Sequence, residues 1–139
     1  MRDLNYYIEK YPKLFENVNI KQIPSGWDQI LLDVMNSASK WLWLDKTLQK
    51  NVSALDYITL TQAKEKFGSI RIYYDLHTPP HDHAGANISA RIRSYMDGII
   101  TYAEVLASKT CQVCSAPASL ELKEYVIATM CKKCSANFK

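Results

Sequence analysis

Residues 110–134 read TCQVCSAPASLELKEYVIATMCKKC and contain all four cysteines of the chain. The cysteines form two C-x-x-C pairs, Cys111 with Cys114 and Cys131 with Cys134, and residues 115–130 lie between the pairs. A C-x-x-C turn aims two sulfurs at one point, and the intervening segment is long enough for two short strands that return the chain. This spacing predicts a zinc site with four thiolate ligands. Four thiolates leave no position for water, so the predicted Zn²⁺ is structural and not catalytic.

Disulfides, free thiols and a redox site are the alternatives for these cysteines. Four cysteines allow three disulfide pairings, and a disulfide within one C-x-x-C would indicate redox chemistry. The N-terminal residues MRDLNYYIEKYPKLF mix charged and apolar side chains and lack the apolar core of a signal peptide. We therefore expect a cytoplasmic protein. Because thiols stay reduced in the cytosol, we expect its cysteines to bind zinc and not to form disulfides.

The composition indicates a folded chain but does not identify a partner. Hydrophobic residues make up 47% of the 139 residues, which excludes wholesale disorder. No apolar run approaches the roughly 20 residues of a membrane helix, so we expect no membrane contact. The formal charge of +3 falls to about +1 when four thiolates and one Zn²⁺ are counted, so charge alone does not favour nucleic acid.

Two segments before the centre of the chain are predicted to be helical. Residues 3–17 show helical spacing with a break near Pro12. Residues 27–48 carry an apolar stripe of period near 3.6, with Ser25 as the expected cap.

A long helix is predicted for residues 88–108, with Asn87 as its N-cap. Gly98 lies inside this helix at a cost of about 1 kcal/mol, which favours a close helix–sheet contact at that position. The helix leads directly into the first cysteine pair.

An antiparallel hairpin is predicted between the two helical regions. Residues 55–62 and 69–76 are rich in β-branched and aromatic residues and alternate with period two. The connection is residues 63–68, ending in Gly68. In the second strand, one face carries Ile70, Ile72, Tyr74 and Leu76, and the other carries Arg71, Tyr73 and Asp75.

Several of these stretches together resemble a family of small bacterial and phage zinc-ribbon proteins. The stretches are GWDQILLDVM, QAKEKFGSIRIYYD, YAEVLASKTCQVC and TMCKKC, within residues 12–134. The resemblance implies a helix beginning with Gly-Trp, a KEKFG hairpin, a helix, a closing zinc ribbon and a phage or mobile-element context, but no mechanism. The chain departs from the family after Cys114, where SAPAS replaces glycines, so we expect Ser115 and Ala118 to make a less ideal knuckle.

Outside the cysteines, two groups of residues are candidates for function. His77, His81, Asp82 and His83 share the loop 77–87, which is either a second metal site or a flexible, solvated segment. The candidate partner-binding residues are Lys64, Lys66, Arg71, Tyr73 and Trp43. Basic and aromatic side chains on a strand suit single-stranded nucleic acid or a protein interface, and burial under a helix is the structural alternative.

We therefore predict an α+β fold with a helical and β-hairpin body, residues 1–108, and a four-cysteine zinc ribbon, residues 109–139, docked on it. We predict a small non-enzymatic, zinc-containing binding protein without catalytic residues, encoded by a phage or mobile element. Its expected partner is a protein of the host cell, for example a component of host defence. Its expected location is the host cytoplasm. A nucleic-acid-binding zinc protein is the alternative, and a metal-dependent hydrolase or nuclease is a distant third.

Overall fold

The structure is a computed structural model that describes residues 4–10, 12, 19–45, 50–54, 57–77, 88–123 and 126–137. The fold is α+β, with helices packed on small sheets and the four cysteines clustered near the C-terminus. The described helices are α1 (Leu4–Lys10), α2 (Asp28–Lys40), α3 (Ile88–Ala107) and α4 (Lys132–Asn137), and a 3₁₀ turn spans Ser25–Trp27. The strands are β1 (Asn19–Gln22), β2 (Leu42–Asp45), β3 (Lys50–Ser53), β4 (Ile58–Lys66), β5 (Ser69–Leu76), β6 (Ser119–Lys123) and β7 (Val126–Met130).

The largest sheet has the order β1-β4-β5, in which β4 and β5 form the predicted antiparallel hairpin and β1 adds in parallel. The expected connection 63–68 is wrong, because β4 continues to Lys66 and only Phe67 and Gly68 form the turn. Both turn residues have positive φ, 53° and 80°, as in the two-residue turns that match the twist of a hairpin. The register shifts between Leu60 and Gln62, where β4 has one extra residue.

The alternation predicted for the second strand is confirmed. Ile70 and Ile72 are buried, whereas Arg71 and Tyr73 are exposed. The buried face packs against α3 and α2 in one core, which includes Leu31. An isolated hairpin is marginally stable, so this helical layer is what holds the sheet in place.

The predicted helix 88–108 is confirmed as α3, whereas the helix predicted for residues 27–48 ends at Lys40. Trp41 has extended geometry, with ψ of 126°, and β2 follows and pairs with β3. The run from Trp41 to Leu44 alternates aromatic and aliphatic residues, which favour strands. Residues 41–44 therefore fit both the helical spacing and a strand, and pairing with β3 selects the strand.

Four smaller expectations have different outcomes. Ser25 is not a helix cap, because it is the first residue of the 3₁₀ turn and Trp27 is the N-cap of α2. Gly98 makes no close helix–sheet contact, since a Cβ placed there would meet no atom within 4 Å. The helical prediction for residues 3–17 is met in part by α1 (Leu4–Lys10), because residues 3, 11 and 13–18 lie outside the described residues. Asn87, the predicted cap of α3, also lies outside them. Within the described residues, no helix has the length and apolar character to cross a bilayer.

Candidate metal centre and the adjoining surface

The sulfurs of the four cysteines converge on one point between the loop after α3 and the start of α4. All four lie within 4.8 Å of one another, and the Cys114 and Cys131 sulfurs are 3.6 Å apart. A tetrahedral Zn²⁺ with bonds of about 2.3 Å separates its sulfurs by about 3.8 Å. All four cysteines are free thiols, so the disulfide alternative is not the arrangement found. The four cysteines could therefore bind a metal, and their donor set fits Zn²⁺.

The surroundings of the sulfurs shift the pKa values of three of the cysteines in different directions. Burial opposes ionisation of Cys111, but hydrogen bonds from the backbone, that of Cys131 foremost, outweigh it and lower the pKa of Cys111 to about 6. A backbone hydrogen bond from Cys134 likewise lowers the pKa of Cys131. Hydrogen bonds from its own thiol to Cys131 and Cys114 raise the pKa of Cys134 to about 12. A divalent metal must displace the remaining protons, so its affinity falls in acid.

The first knuckle is closed by backbone hydrogen bonds. The Cys111 amide donates to the Ala116 carbonyl at 2.7 Å, and the Ser115 amide donates to the Cys111 carbonyl at 2.9 Å. Ser115 has a φ of 69°, in the left-handed region where glycine is preferred. This position is the one at which the resemblance predicted a less ideal knuckle. Ala118 has no such strain, and its amide donates to the Lys109 carbonyl at 2.9 Å.

The 3₁₀ turn before α2 contacts this knuckle through the Gly-Trp pair. The Gly26 amide donates to the Gln112 carbonyl at 2.9 Å, and the Ser115 hydroxyl donates to the Gly26 carbonyl at 2.7 Å. The fully buried Trp27 donates through Nε1 to the Thr110 carbonyl at 2.9 Å. A Cβ on Gly26 would lie 2.3 Å from the Cys111 carbonyl oxygen, so only glycine permits this approach. The Gly-Trp pair therefore joins the helical body to the cysteine knuckle.

The turn of the β4–β5 hairpin contacts the ribbon at a second place. The buried Thr129 hydroxyl donates to the Gly68 carbonyl at 2.8 Å. Leu120 lies so close to Gly68 that a Cβ there would be 2.4 Å from its Cδ1. The Glu65 carboxylate accepts the Gly68 amide at 2.7 Å. The KEKFG stretch thus both turns the hairpin and forms the contact with β6 and β7. The division at residue 108 stays a prediction beside these contacts.

The predicted partner-binding residues lie partly together. Lys64 and Arg71 are directly opposite each other on β4 and β5, and the Lys64 ammonium lies 5.8 Å from the ring centre of Tyr73. Lys66 lies at the hairpin end, 5.7 Å from the ring centre of Phe67. Trp43 belongs to β2, in a different sheet, and its side chain is outside the described part of the chain. Binding by any of these residues stays a prediction.

An exposed apolar surface next to the metal centre was not predicted from the sequence. We define the ribbon patch as Phe67, Leu120, Leu122 and Ile127. Phe67 is 65% exposed, Leu120 60% and Leu122 73%, and Ile127 is also exposed. Leu122 is directly opposite Ile127, and Leu120 is opposite Thr129, so these ribbon side chains share a face. The alternation of SLELK is a signal that could have revealed it, because a two-stranded ribbon cannot cover both of its faces.

Of the remaining candidate metal ligands, His77 is the one that lies among the described residues. His77 is exposed, and its amide donates to the Tyr57 carbonyl at 2.7 Å. His81, Asp82 and His83 lie outside the described residues. Among the residues that the structure does describe, the four cysteines are the one group with three or more metal-ligating side chains in reach of each other.

The chain was compared with protein-family models, curated proteins and solved structures, and nothing matches it. The family resemblance and its phage context therefore stay predictions.

Proposed function

We propose that this chain is a small, non-enzymatic binding protein in which a structural Zn²⁺ holds a protein-binding surface in place. The observation that carries the proposal is the ribbon patch. Large exposed apolar side chains that lie next to one another mark interaction sites in soluble proteins more often than scattered ones do. Here they are concentrated beside the hairpin turn and on one face of the cysteine ribbon.

The role of the metal follows from how little else holds the ribbon. The buried residues of the ribbon are few, namely Cys111, Ala128 and Met130, with Thr129 in contact with Gly68. So small a core does not stabilise two strands, whereas a four-thiolate Zn²⁺ site contributes on the order of 10 kcal/mol or more. Bound zinc would fix β6 and β7, and with them Leu120 and Leu122, against the hairpin turn.

A protein partner accounts for this surface better than nucleic acid does. Nucleic acid uses aromatic stacking and cations, and exposed leucines contribute to neither. Apolar anchors surrounded by polar groups are typical of protein interfaces. From the family resemblance, we propose that a phage or mobile element encodes this chain. Its partner is then a protein of the host cell, for example a component of host defence.

The second candidate function is binding of single-stranded nucleic acid by the outer face of the hairpin. The specific observation is that Lys64 and Arg71 are directly opposite each other and Tyr73 is 46% exposed beside them. Like charges placed across a strand pair destabilise a sheet, and a bound phosphate would offset that repulsion. Under this alternative, Arg71→Ala would reduce the dependence of affinity on salt concentration.

A pull-down from bacterial lysate with and without nuclease tests the proposal. We expect the tagged chain to retain the same proteins after nuclease treatment, and Leu122→Asp to lose them. Val105→Asp is the matched control, since Val105 is an exposed apolar residue on α3 that does not belong to the ribbon patch. Retention of the same proteins by Leu122→Asp would contradict a role for the ribbon patch. Loss of all bound material on nuclease treatment would favour the nucleic-acid alternative.

A further inference from the structure

One edge of the cysteine ribbon presents backbone groups that no described strand pairs with. The Thr129 amide bonds to the Gln112 side chain at 3.1 Å, and the Thr129 carbonyl accepts the Gln112 amide at 2.9 Å. These groups therefore point away from β6. In an antiparallel pair, two directly opposite residues either hydrogen-bond to each other through their backbone groups or both turn those groups outward. Leu120 is directly opposite Thr129, so the amide and carbonyl of Leu120 point away from β7. By alternation, the same holds for Leu122, which is opposite Ile127.

The chain itself pairs with the first position of this edge, and the antiparallel pairing stops there because the residues up to Ala107 belong to the end of α3. The Ala118 amide donates to the Lys109 carbonyl, and an isolated bridge joins Thr110 with Pro117. Among the described residues, no strand continues this pairing along Leu120 and Leu122. An extended segment could therefore add to β6 where residues 109–110 end, as in recognition by β-strand addition.

The charges around this edge favour an acidic occupant. Lys109 is exposed next to the start of β6, and Lys132 and Lys133 are exposed where β7 ends opposite that start. Lys66 is exposed at the end of the hairpin whose turn residue Gly68 contacts Leu120. Glu121 is opposite Ala128 and so belongs to the other face of β6, away from the leucines. A second copy of the chain would bring the same lysines together, so these charges disfavour self-pairing.

We propose that the edge of β6 binds an extended acidic segment of the partner protein, with apolar residues at alternate positions. Backbone hydrogen bonds to Leu120 and Leu122 would give the segment its direction and register. Its apolar side chains would cover the two leucines and Ile127, while its carboxylates would meet the flanking lysines. This inference rests on the proposed function, because it specifies how a partner occupies the ribbon patch.

Selection from a displayed library of short random peptides against the purified full-length chain tests the inference. We expect enriched peptides to be acidic with apolar residues at alternate positions. Their binding should slow hydrogen exchange at the amides of Leu120 and Leu122. Leu122→Pro removes the outward amide but no hydrogen bond to β7, and proline is tolerated at strand edges. It should weaken binding by at least about tenfold, because it removes one hydrogen bond of about 1.4 kcal/mol together with the leucine side chain that the segment covers.

Tyr102→Ser serves as the control, because Tyr102 is exposed on α3 and is not on the edge of β6, and the change should leave peptide affinity unchanged. Binding that survives Leu122→Pro but is lost in Leu122→Asp would overturn strand addition and leave the proposed function standing. Basic or absent selected peptides would overturn the inference. Slow exchange of both amides in the peptide-free chain, dependent on protein concentration, would assign the edge to a second copy. If Leu122→Pro fails to fold, the exchange experiment on the unmodified chain decides alone.

Discussion

Gly26→Ala provides the sharpest test of how the body and the cysteine knuckle fit together. The added Cβ would lie 2.3 Å from the Cys111 carbonyl oxygen and 2.6 Å from that of Gln112. Both obstacles are backbone atoms, so the 3₁₀ turn must move away from the knuckle. That movement breaks three hydrogen bonds across the contact, which join Gly26 to Gln112, Ser115 to Gly26 and Trp27 to Thr110.

The expected magnitude follows from these contacts. Three hydrogen bonds at about 1 kcal/mol each give a loss of about 3 kcal/mol. Overpacking adds about 1–3 kcal/mol, and partial relaxation offsets some of it. We therefore expect Gly26→Ala to lower the free energy of unfolding by about 3–5 kcal/mol. Gly98→Ala is the matched control, because it adds the same methyl group in open space within α3 and should raise stability by up to about 1 kcal/mol.

Urea unfolding followed by circular dichroism would measure both variants. The zinc concentration must be equal in all samples, because metal that binds the folded chain adds to its apparent stability. The reduced entropy of the unfolded chain is common to both glycine-to-alanine changes and cancels in their difference. If Gly26→Ala is as stable as Gly98→Ala, the knuckle does not pack against the 3₁₀ turn, and the account of the Gly-Trp pair is wrong.

Four further predictions concern the sheet, the metal centre and one tyrosine. Ile72→Ala should lower the free energy of unfolding by about 2–5 kcal/mol because it leaves a cavity, whereas Arg71→Ala should change thermal stability little, and equal losses would show that both faces of β5 are buried. Metal analysis should find one zinc per chain, and Cys131→Ser should abolish it together with ribbon structure, so purified protein without stoichiometric zinc would contradict the site. Ser115→Ala should lower the free energy of unfolding by about 1 kcal/mol, because it removes the hydrogen bond to Gly26. Ser115→Gly should be closer to wild type in urea unfolding because glycine relieves the strain of a φ of 69°, and the reverse order would exclude strain at this position. Burial, with a hydrogen bond to Asp97, raises the pKa of Tyr74 to about 12. Because the unfolded chain loses this proton at lower pH than the folded chain, the free energy of unfolding should fall as pH rises from about 10 to 12. A Tyr74→Phe variant with the same pH profile would contradict this.

The sequence by itself determined the features that depend on short-range geometry. The two C-x-x-C pairs predicted a four-sulfur cluster, because each turn brings two sulfurs together and the spacing permits a return. Period-two alternation placed Ile70 and Ile72 on one face of the strand and Arg71 on the other, and the structure shows that the Arg71 face is exposed. The apolar stripe predicted a helix over residues 88–108, and α3 spans Ile88–Ala107.

Only the tertiary structure decided features in which distant segments compete or meet. The Trp41–Leu44 run fits a helix and a strand locally, and pairing with β3 selects the strand. The role of Gly26 depends on the backbone of Cys111, which is far away in the chain, so no local pattern reveals it. Leu120 and Leu122 alternate as an ordinary strand does. They are exposed because the ribbon has only two strands, and its opposite face packs around the cysteine cluster.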